Sequence, residues 1–291
     1  MVRCPAKVNL HLEVLGRRAD GYHELRTVFA PVGVWDTLTL SSAPGGTFEL
    51  AVDPPGAVAA GEDNLVMRAA RALVARFGGK VGARIVLEKR IPVGGGLGGG
   101  SADAAAALVG LARLWDRQRL ADELTPIAVR LGADVAFFLC GGVAWGTGRG
   151  SDLAPLPDLP PWWVFLLPGP EPISTAEVYR HVDGTALDAG GPTEIYQWVA
   201  AGGAFPLGSC RNDLQPTVLA RWPEVGRRLK SVRATQPLLG LVSGSGGTVF
   251  GLFDDEERAR HAAGEVGAAD AIVAPLLSRD ASLLRPSVME E

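Results

Sequence analysis

Pro92-Val-Gly-Gly-Gly-Leu-Gly-Gly-Gly-Ser-Ala-Asp103 is the stretch around which the rest of the chain is organised. Glycine fills six of the seven positions from 94 to 100, and it lets a ligand approach the main chain closely. The alanine-rich segment 104–115 follows at once, and Ser101 is the expected N-cap of its helix. Unpaired N–H groups and the positive end of the helix dipole would then face the loop. This combination predicts a phosphate-binding site.

Two other interpretations of the glycine run are a flexible linker and a dinucleotide-binding loop. A flexible linker is disfavoured, because the run lies between a strand-like segment, 83–88, and a strongly apolar helix. The glycines at 94, 96 and 99 also satisfy the G-x-G-x-x-G pattern of dinucleotide-binding proteins. Against this pattern, Pro92 separates the glycines from the strand, and Asp116 follows a helix instead of ending a second strand. None of the four lysines lies in a G-K-[ST] sequence, which excludes a Walker-type loop.

The composition is that of a globular protein with ordinary cores. Of its residues, 47% are hydrophobic and 21% are charged. The length of 291 residues is enough for two domains. A net charge of −4 and the lack of a basic run argue against nucleic acid as a partner. The longest apolar stretch, 135–145, contains two glycines and is too short to span a bilayer, so no membrane partner is expected.

The three cysteines and four histidines show no metal-ligand or C-x-x-C spacing. Isolated cysteines suit a reducing compartment, and no secretory signal is evident, so a cytoplasmic protein is expected. Any metal would have to be held by oxygen ligands and phosphates.

Alternating and helical apolar patterns predict an α+β fold of two domains. In the first half we expect strands over 3–15, 25–34, 36–42, 47–52 and 83–90, and helices over 63–77 (with Asp63 as cap), 101–115 and 121–130. In the second half we expect strands over 162–167, 238–242, 248–253 and 270–275, and helices over 174–182, 194–200 and 256–266, with a longer one broken by Pro216 and Pro223. Seven prolines between 155 and 172 place the boundary, which gives domains 1–157 and 158–291.

Several polar residues lie in patterns that allow a functional or a structural interpretation. Lys7 and Asn9 share one face of the first strand; Lys7 is either a cation near phosphate or a charge that protects a sheet edge. Asp134 precedes an apolar run and is either a functional carboxylate or a helix cap or turn-former. Tyr22 and His23 lie side by side in a turn-rich loop, for which a simple hairpin connection is the alternative. A second glycine-rich turn, 243–247, is a hairpin loop whose amides could also close over phosphates.

Five of these segments, in this order, resemble the motifs of the GHMP small-molecule kinases, the superfamily of galactokinase, homoserine kinase and mevalonate kinase. The segments are residues 5–10, 19–23, 92–101, 131–135 and 243–247. The resemblance extends from residue 3 to about residue 253. It implies a two-domain α+β fold, a β-rich N-terminal domain that binds ATP, a smaller C-terminal domain and an active site between them.

The resemblance also implies an activity, a donor and an acceptor. The motifs are most similar to the branch that uses ATP and Mg²⁺ in non-mevalonate isoprenoid biosynthesis. Its members phosphorylate the 2-hydroxyl of a methylerythritol linked to cytidine diphosphate. A homoserine- or mevalonate-type kinase, a catalytically silent nucleotide-binding module and a dinucleotide-dependent oxidoreductase are the alternatives.

The resemblance assigns roles to individual residues. Asp134 would accept the proton of the acceptor hydroxyl, and Lys7 would keep that carboxylate ionised and stabilise the transferring phosphoryl group. The ATP-binding residues would be Asn64, Leu65, Lys89, Pro92, Val93, Gly94, Gly95, Gly96, Leu97, Gly98, Gly99, Gly100, Ser101 and Ala102. The acceptor-binding residues would be Asn9, Tyr22, His23, Thr175 and Tyr179. Tyr22 and Tyr179 are expected to face each other across a gap for the cytosine ring, with His23 at its edge.

The chain departs from the family pattern at the end of the loop. Ala102 stands where the family usually has a second serine, so one hydroxyl contact to phosphate is missing. Mevalonate kinase-like relatives use a serine within the loop for Mg²⁺, where this chain has glycine. The metal ligands are therefore left unassigned.

Overall fold

The computed structural model describes residues 1–117, 123–182 and 194–287. The first two residues of the helix predicted over 121–130 lie outside the described residues. Within them, no helix is long and apolar enough to cross a membrane.

The first half of the chain forms a six-stranded sheet, mostly antiparallel. Its strands are β1 (Val2–Arg17), β2 (His23–Ser42), β3 (Phe48–Asp53), β4 (Ala83–Glu88), β5 (Ala144–Thr147) and β6 (Asp152–Pro155). The order is β3-β4-β2-β5-β6, with β1 paired to β2 and only β3 and β4 parallel. The sheet is therefore built around the long strand β2, which pairs with three other strands.

Four helices pack against this sheet. They are α1 (Leu65–Phe77), α2 (Gly99–Leu114), α3 (Leu124–Leu131) and α4 (Ala133–Cys140). Helix α2 is buried along most of its length, and its buried positions are mainly alanine. Because alanine side chains are short, the backbone of α2 packs closely against its neighbours. The N-terminus of α2, residues 99–101, reaches the wall of a cavity.

The second half forms a four-stranded antiparallel sheet in the order β10-β7-β9-β8. Its strands are β7 (Trp163–Leu167), β8 (Leu239–Val242), β9 (Val249–Phe253) and β10 (Ile272–Pro275). Its helices are α5 (Thr175–Val182), α6 (Glu194–Ala201), α7 (Gln215–Arg221), α8 (Pro223–Ala234), α9 (Glu256–Val266) and α10 (Arg279–Ser282). The α+β fold is therefore confirmed.

The two sheets share a hydrophobic core. Ala6, Val8 and Leu10 of β1 belong to the same buried cluster as Leu166 of β7 and Phe250 of β9. The backbone of Leu12 also exchanges hydrogen bonds with the segment before α7, at 2.8 and 2.9 Å. Helix α10 contacts the first half of the chain, because the Arg279 guanidinium donates to the carbonyls of Cys140 and Val143. The domain boundary at 157/158 stays a prediction.

Four local predictions are corrected by the structure. The segments 25–34 and 36–42 form one strand with a bulge, because the β1 partners jump from Val32 to Trp35. Asn64, not Asp63, caps α1, and its side chain accepts the Val66 N–H. Helix α2 begins at Gly99, so Ser101 lies in its first turn and is not its cap.

The fourth correction concerns the helix predicted to be broken by Pro216 and Pro223. The structure has two helices, α7 and α8, and each proline lies in the first turn of one of them. Proline is tolerated there because the first amides of a helix have no intrahelical acceptor.

Candidate active site

The carbonyl groups of the glycine loop are bonded to the surrounding framework. The carbonyls of residues 94–98 accept hydrogen bonds, in order, from Ile173 N (3.2 Å), Thr248 N (3.2 Å), the Ser243 hydroxyl (3.0 Å), Lys7 N (2.9 Å) and Ala102 N (2.9 Å). The N–H groups of 94–101 donate to no acceptor in the described part of the chain. Residues 92–101 line a cavity of about 490 Å³. A row of unpaired amides leading into a helix N-terminus is an arrangement that binds phosphate.

The two glycine-rich turns interlock. A β-carbon placed on Gly96 would lie 2.0 Å from Ser243 O, and one placed on Gly246 would lie 2.0 Å from Gly96 N. Both distances are far below any real contact, so only bare backbone fits at these positions. Gly244 and Ser245 of the second turn line the same cavity. The absence of a side chain at Gly96 and Gly246 therefore allows the two turns to pack backbone against backbone.

Lys7 and Asp134 converge on this cavity from different elements. The Lys7 Nζ on β1 lies 3.5 Å from the Asp134 Oδ2 and donates to the Asn9 Oδ1 at 2.6 Å. The Asn9 amide in turn donates to the Thr27 hydroxyl at 2.8 Å. Lys7 and Asn9 are buried, whereas one third of the Asp134 side chain is exposed. The predicted convergence of Lys7 and Asp134 is confirmed, and the carboxylate is the more accessible member of the pair.

Asp134 lies in the first turn of α4, where the helix dipole favours a negative charge. It is not the cap of that helix, because the N-cap position is Gly132 and no side chain accepts a capping hydrogen bond. The capping alternative for Asp134 is therefore wrong, and its carboxylate points to the cavity that it lines.

The aromatic residues expected to bind the acceptor do not have the predicted arrangement. The ring of His23 stacks on that of Tyr179, with centroids 4.8 Å apart and an interplanar angle of 30°. Tyr22 is 56% exposed, and the Arg149 guanidinium lies 4.5 Å above its ring. The prediction is wrong in this respect: His23 faces Tyr179 directly and does not lie at the edge of a gap between two tyrosines.

Tyr179 and Thr175 come from α5 and form the opposite wall of the cavity. The Thr175 hydroxyl is 2.8 Å from that of Ser245. Burial raises the pKa of the Tyr179 phenol, and the nearby Asp134 carboxylate raises it further. The Tyr179 ring is therefore a neutral aromatic surface at every physiological pH.

The residues expected around adenosine lie on the cavity wall, but two of them also have internal partners. The Asn64 side chain accepts the Val66 N–H at 2.9 Å and donates to Ala59 O at 2.7 Å. The Lys89 Nζ contacts carboxylates of Asp36 and Asp103. Leu65 lines the cavity as well and presents an apolar surface.

Several residues that line the cavity were not assigned to it from the sequence, among them Thr27, Arg149 and Asp103. The alternation of β2 gives a signal for Thr27, because Leu25 and Phe29 lie on the same face and also line the cavity. Arg149 lies in a turn, and Asp103 is buried in a helix otherwise rich in alanine. Neither has a pattern that reveals its neighbours.

Among the described residues, no group of three or more histidine, cysteine, aspartate or glutamate side chains could hold a metal ion. The Ser101 hydroxyl, in the first turn of α2, is an oxygen donor on the cavity wall. Mg²⁺ in phosphate-transfer sites takes few protein ligands and several oxygens from phosphate and water, so such a site fits the ion.

Comparisons with known proteins agree with the geometry. The GHMP kinases N terminal domain matches residues 64–142, and the GHMP kinases C terminal domain matches residues 204–271. A 4-diphosphocytidyl-2-C-methyl-D-erythritol kinase from Nocardioides sp. is 41% identical over 278 residues, which cover 92% of this chain and 93% of that protein. The chain belongs to this family of GHMP kinases. The family resemblance seen in the sequence is thereby confirmed.

Two solved structures resemble this chain in fold but differ in their sequence identity to it. A crystal structure of 4-(cytidine 5'-diphospho)-2C-methyl-D-erythritol kinase has a TM-score of 0.77 and 38% identity, covering 95% of this chain and 99% of that one. The homoserine kinase from Cytophaga hutchinsonii has a TM-score of 0.74 but only 20% identity, covering 97% of this chain and 95% of that one. The second likeness shows the shared fold alone.

Proposed function

We propose that the protein transfers the γ-phosphoryl group of ATP to the 2-hydroxyl of 4-diphosphocytidyl-2-C-methyl-D-erythritol. The observation that carries this proposal is the Lys7–Asp134 pair beside eight unpaired loop amides in one cavity. The names of the relatives supply the acceptor. The three free cysteines support a cytoplasmic location.

The glycine loop and α2 would bind the β- and γ-phosphates of ATP through their backbone amides. The dipole of α2 adds a favourable interaction with the negative charge. The adenosine would pack against Leu65, the first residue of α1, on the wall of the same cavity. Mg²⁺ would accompany the nucleotide, with the Ser101 hydroxyl of α2 as an oxygen donor, and would neutralise charge on the phosphates.

The chemical step needs a base, a cation and an aligned hydroxyl. Asp134 would accept the proton of the acceptor hydroxyl. The hydroxyl oxygen would bond to the γ-phosphorus while the bond between that phosphorus and the β–γ bridging oxygen breaks, and ADP would leave. Lys7 would stabilise the charge on the transferring group. Asn9, which bonds both the Lys7 ammonium and the Thr27 hydroxyl, would fix the direction in which that ammonium points.

The acceptor would bind between residues of the two halves of the chain. The stacked pair of His23 and Tyr179 offers an aromatic surface to the cytosine. Thr175 would bond a polar group of the acceptor from the same side. Arg149, stacked on Tyr22 and lining the cavity, brings positive charge to the region in which a diphosphate would lie.

A comparison of acceptors tests the proposed function. With ATP and Mg²⁺, diphosphocytidyl-methylerythritol should be phosphorylated with a kcat/KM at least roughly 100-fold above that for mevalonate or homoserine. The smaller acceptors have no aromatic base and cannot contact the aromatic surface of the pocket. Product formation would be followed by coupled release of ADP. A preference for homoserine or mevalonate would support the corresponding relative, and ATP binding without turnover of any acceptor would support a silent nucleotide-binding module.

Gly100→Val should weaken ATP binding without unfolding the protein. Gly100 is exposed, its backbone is helical, and an added β-carbon would approach only Leu65, at 3.8 Å. A valine would therefore protrude towards the phosphates, and we expect the Kd for ATP to rise at least about fivefold with an unchanged circular dichroism spectrum. Gly98 is a poorer choice, because its φ is +73° and a β-carbon there would lie 3.0 Å from Lys7 and Phe138.

Gly264→Val is the matched control for this variant. Gly264 is also an exposed helical glycine, on α9, with nothing within 4 Å of an added β-carbon. It should bind ATP like the wild type. Equal ATP affinity of the Gly100 and Gly264 variants would show that the loop amides do not bind the phosphates.

A further inference from the structure

A buried cluster of three charged side chains lies directly under the glycine loop. The Lys89 Nζ contacts the Asp36 Oδ2 and donates to the Asp103 Oδ2 at 2.8 Å. Asp36 is fully buried, Asp103 is 3% exposed and Lys89 is 8% exposed. The three residues come from β2, from the start of α2 and from the end of β4, so one ammonium joins three elements.

The cluster holds both ends of the loop. At the entry, the Asp36 Oδ1 accepts the N–H groups of Arg90 and Ile91 at 2.6 and 2.9 Å. At the exit, Asp103 lies just over one turn into α2. Lys89 connects the two carboxylates, so the backbone before the glycines and the helix after them are tied to one point.

The ammonium group also packs against the first residue of α2. A β-carbon on Gly99 would lie 3.1 Å from the Lys89 Nζ and 3.0 Å from the Ile91 side chain. Lys89 and Asp103 both line the cavity of the proposed phosphate site. A carboxylate beside bound phosphate would repel it, so Asp103 is compatible with this position only while its charge is compensated.

The charges of the cluster show how that compensation works. Two carboxylates share one ammonium, and burial raises the pKa of Asp103 to about 7, with Lys89 opposing and Asp36 adding to the shift. The same two carboxylates raise the pKa of Lys89 against the effect of burial. The Cys4 thiol faces the other oxygen of Asp103 at 3.6 Å. Each carboxylate oxygen of Asp103 therefore has a donor nearby.

We propose that Asp36, Lys89 and Asp103 form a clamp that fixes the two ends of the glycine loop, so that Asp36 and Asp103 are positioning residues for nucleotide binding. The clamp rests on the proposed function, because it assumes that the loop binds the phosphates of ATP. Lys89 acts in it through the two carboxylates and through its packing under Gly99, and its ammonium is not the ligand of the nucleotide.

A direct role of Lys89 as a phosphate ligand makes the opposite prediction for Asp103→Ala. Removal of Asp103 would release the ammonium towards the cavity and remove a negative charge, so ATP binding would tighten or stay unchanged. If the clamp exists, the same substitution removes the ion pair that fixes the start of α2 to Lys89. The amides of the glycine loop then lose their alignment with the phosphates.

The test measures the Kd for ATP by calorimetry and the steady-state constants of Asp103 variants. Asp103→Ala should raise the Kd and the KM for ATP at least about fivefold, with kcat at saturating ATP and KM for the acceptor within roughly twofold, because a displaced binding group weakens one ligand selectively. Asp103→Asn should restore ATP binding to within about twofold, since its amide oxygen accepts from Lys89 in the same place.

Leu108→Ala is the matched structural control. Leu108 is fully buried in the same helix, and its truncation lowers the melting temperature without touching the loop. It should leave the Kd for ATP unchanged. If Leu108→Ala weakens ATP binding as much as Asp103→Ala does, the effect is one of general destabilisation and the clamp is refuted.

Asp103→Leu keeps the test decisive if Asp103→Ala does not fold. A leucine fills the space of the aspartate side chain, and Lys89 keeps Asp36 as its partner, so no buried charge is left without a counter-charge. The leucine variant should still bind ATP at least about fivefold more weakly. Wild-type affinity in this variant would overturn the clamp, whereas a wild type that binds no ATP at all would overturn the proposed function instead.

Discussion

Asp134→Asn should lower kcat by roughly 100-fold or more while changing the KM for ATP by less than about threefold, as expected for loss of a positioned base. The amide keeps the size of the carboxylate and cannot take up the proton of the acceptor hydroxyl. It also removes the negative partner of the Lys7 Nζ, 3.5 Å away. The loop amides and the start of α2 are untouched, so ATP should still bind. Single-turnover measurements with saturating ATP and acceptor would isolate the chemical step.

Asp63→Asn is the control for the loss of a charge from this cavity. Asp63 lines the same cavity, is exposed and lies two residues before the first residue of α1. Its kcat should stay within roughly twofold of the wild type, because the side chain has no reacting atom to serve. An Asp134→Asn variant that keeps most of its kcat would remove Asp134 from the role of base.

The elements around the loop could be predicted because their signals are local. A glycine run followed by an alanine-rich segment specifies a bare loop and a closely packed helix, and α2 has this form. Alternation in 3–15 placed Lys7 and Asn9 on one face, and the Lys7 ammonium does bond Asn9. Where a pattern spans a few turns or strand residues, the sequence is sufficient.

Choices between neighbouring residues could not be predicted in the same way. Asp63 and Asn64 are both good helix caps, and the backbone turn that makes Asn64 the cap depends on contacts such as its bond to Ala59 O. The bulge opposite Pro5 likewise joins two apparent strands into β2. Such details are decided by packing beyond the local window.

Contacts between distant segments were the main source of error at the site. Asp36 and Lys89 are 53 residues apart, and His23 and Tyr179 are further apart still. The spacing of these residues in the sequence does not predict either contact. The motifs therefore indicated many of the residues that line the cavity, and the structure was needed to show that Lys89 is paired with two carboxylates and that His23 stacks on Tyr179.

Tyr179→Ala should raise the KM for the cytidine-linked acceptor about tenfold or more, since stacking of a base on an aromatic side chain contributes roughly 1–3 kcal/mol. The substitution removes the ring that lines the cavity and leaves His23 without its stacking partner. The glycine loop lies on the other half of the chain, so the KM for ATP should change by less than about twofold. Steady-state kinetics with each substrate varied in turn would measure both constants.

Tyr179→Phe separates the ring from its hydroxyl. Because burial keeps the phenol un-ionised by raising its pKa, the hydroxyl supplies no charge to the site, and the phenylalanine ring retains the stacking surface. This variant should therefore keep the acceptor KM within about threefold of the wild type. A uridine analogue of the acceptor should bind more weakly than the cytidine form, because the edge of its ring has a different pattern of donors and acceptors. Equal use of the two analogues, or an equal loss of acceptor and ATP binding in Tyr179→Ala, would show that the stacked pair does not recognise the base.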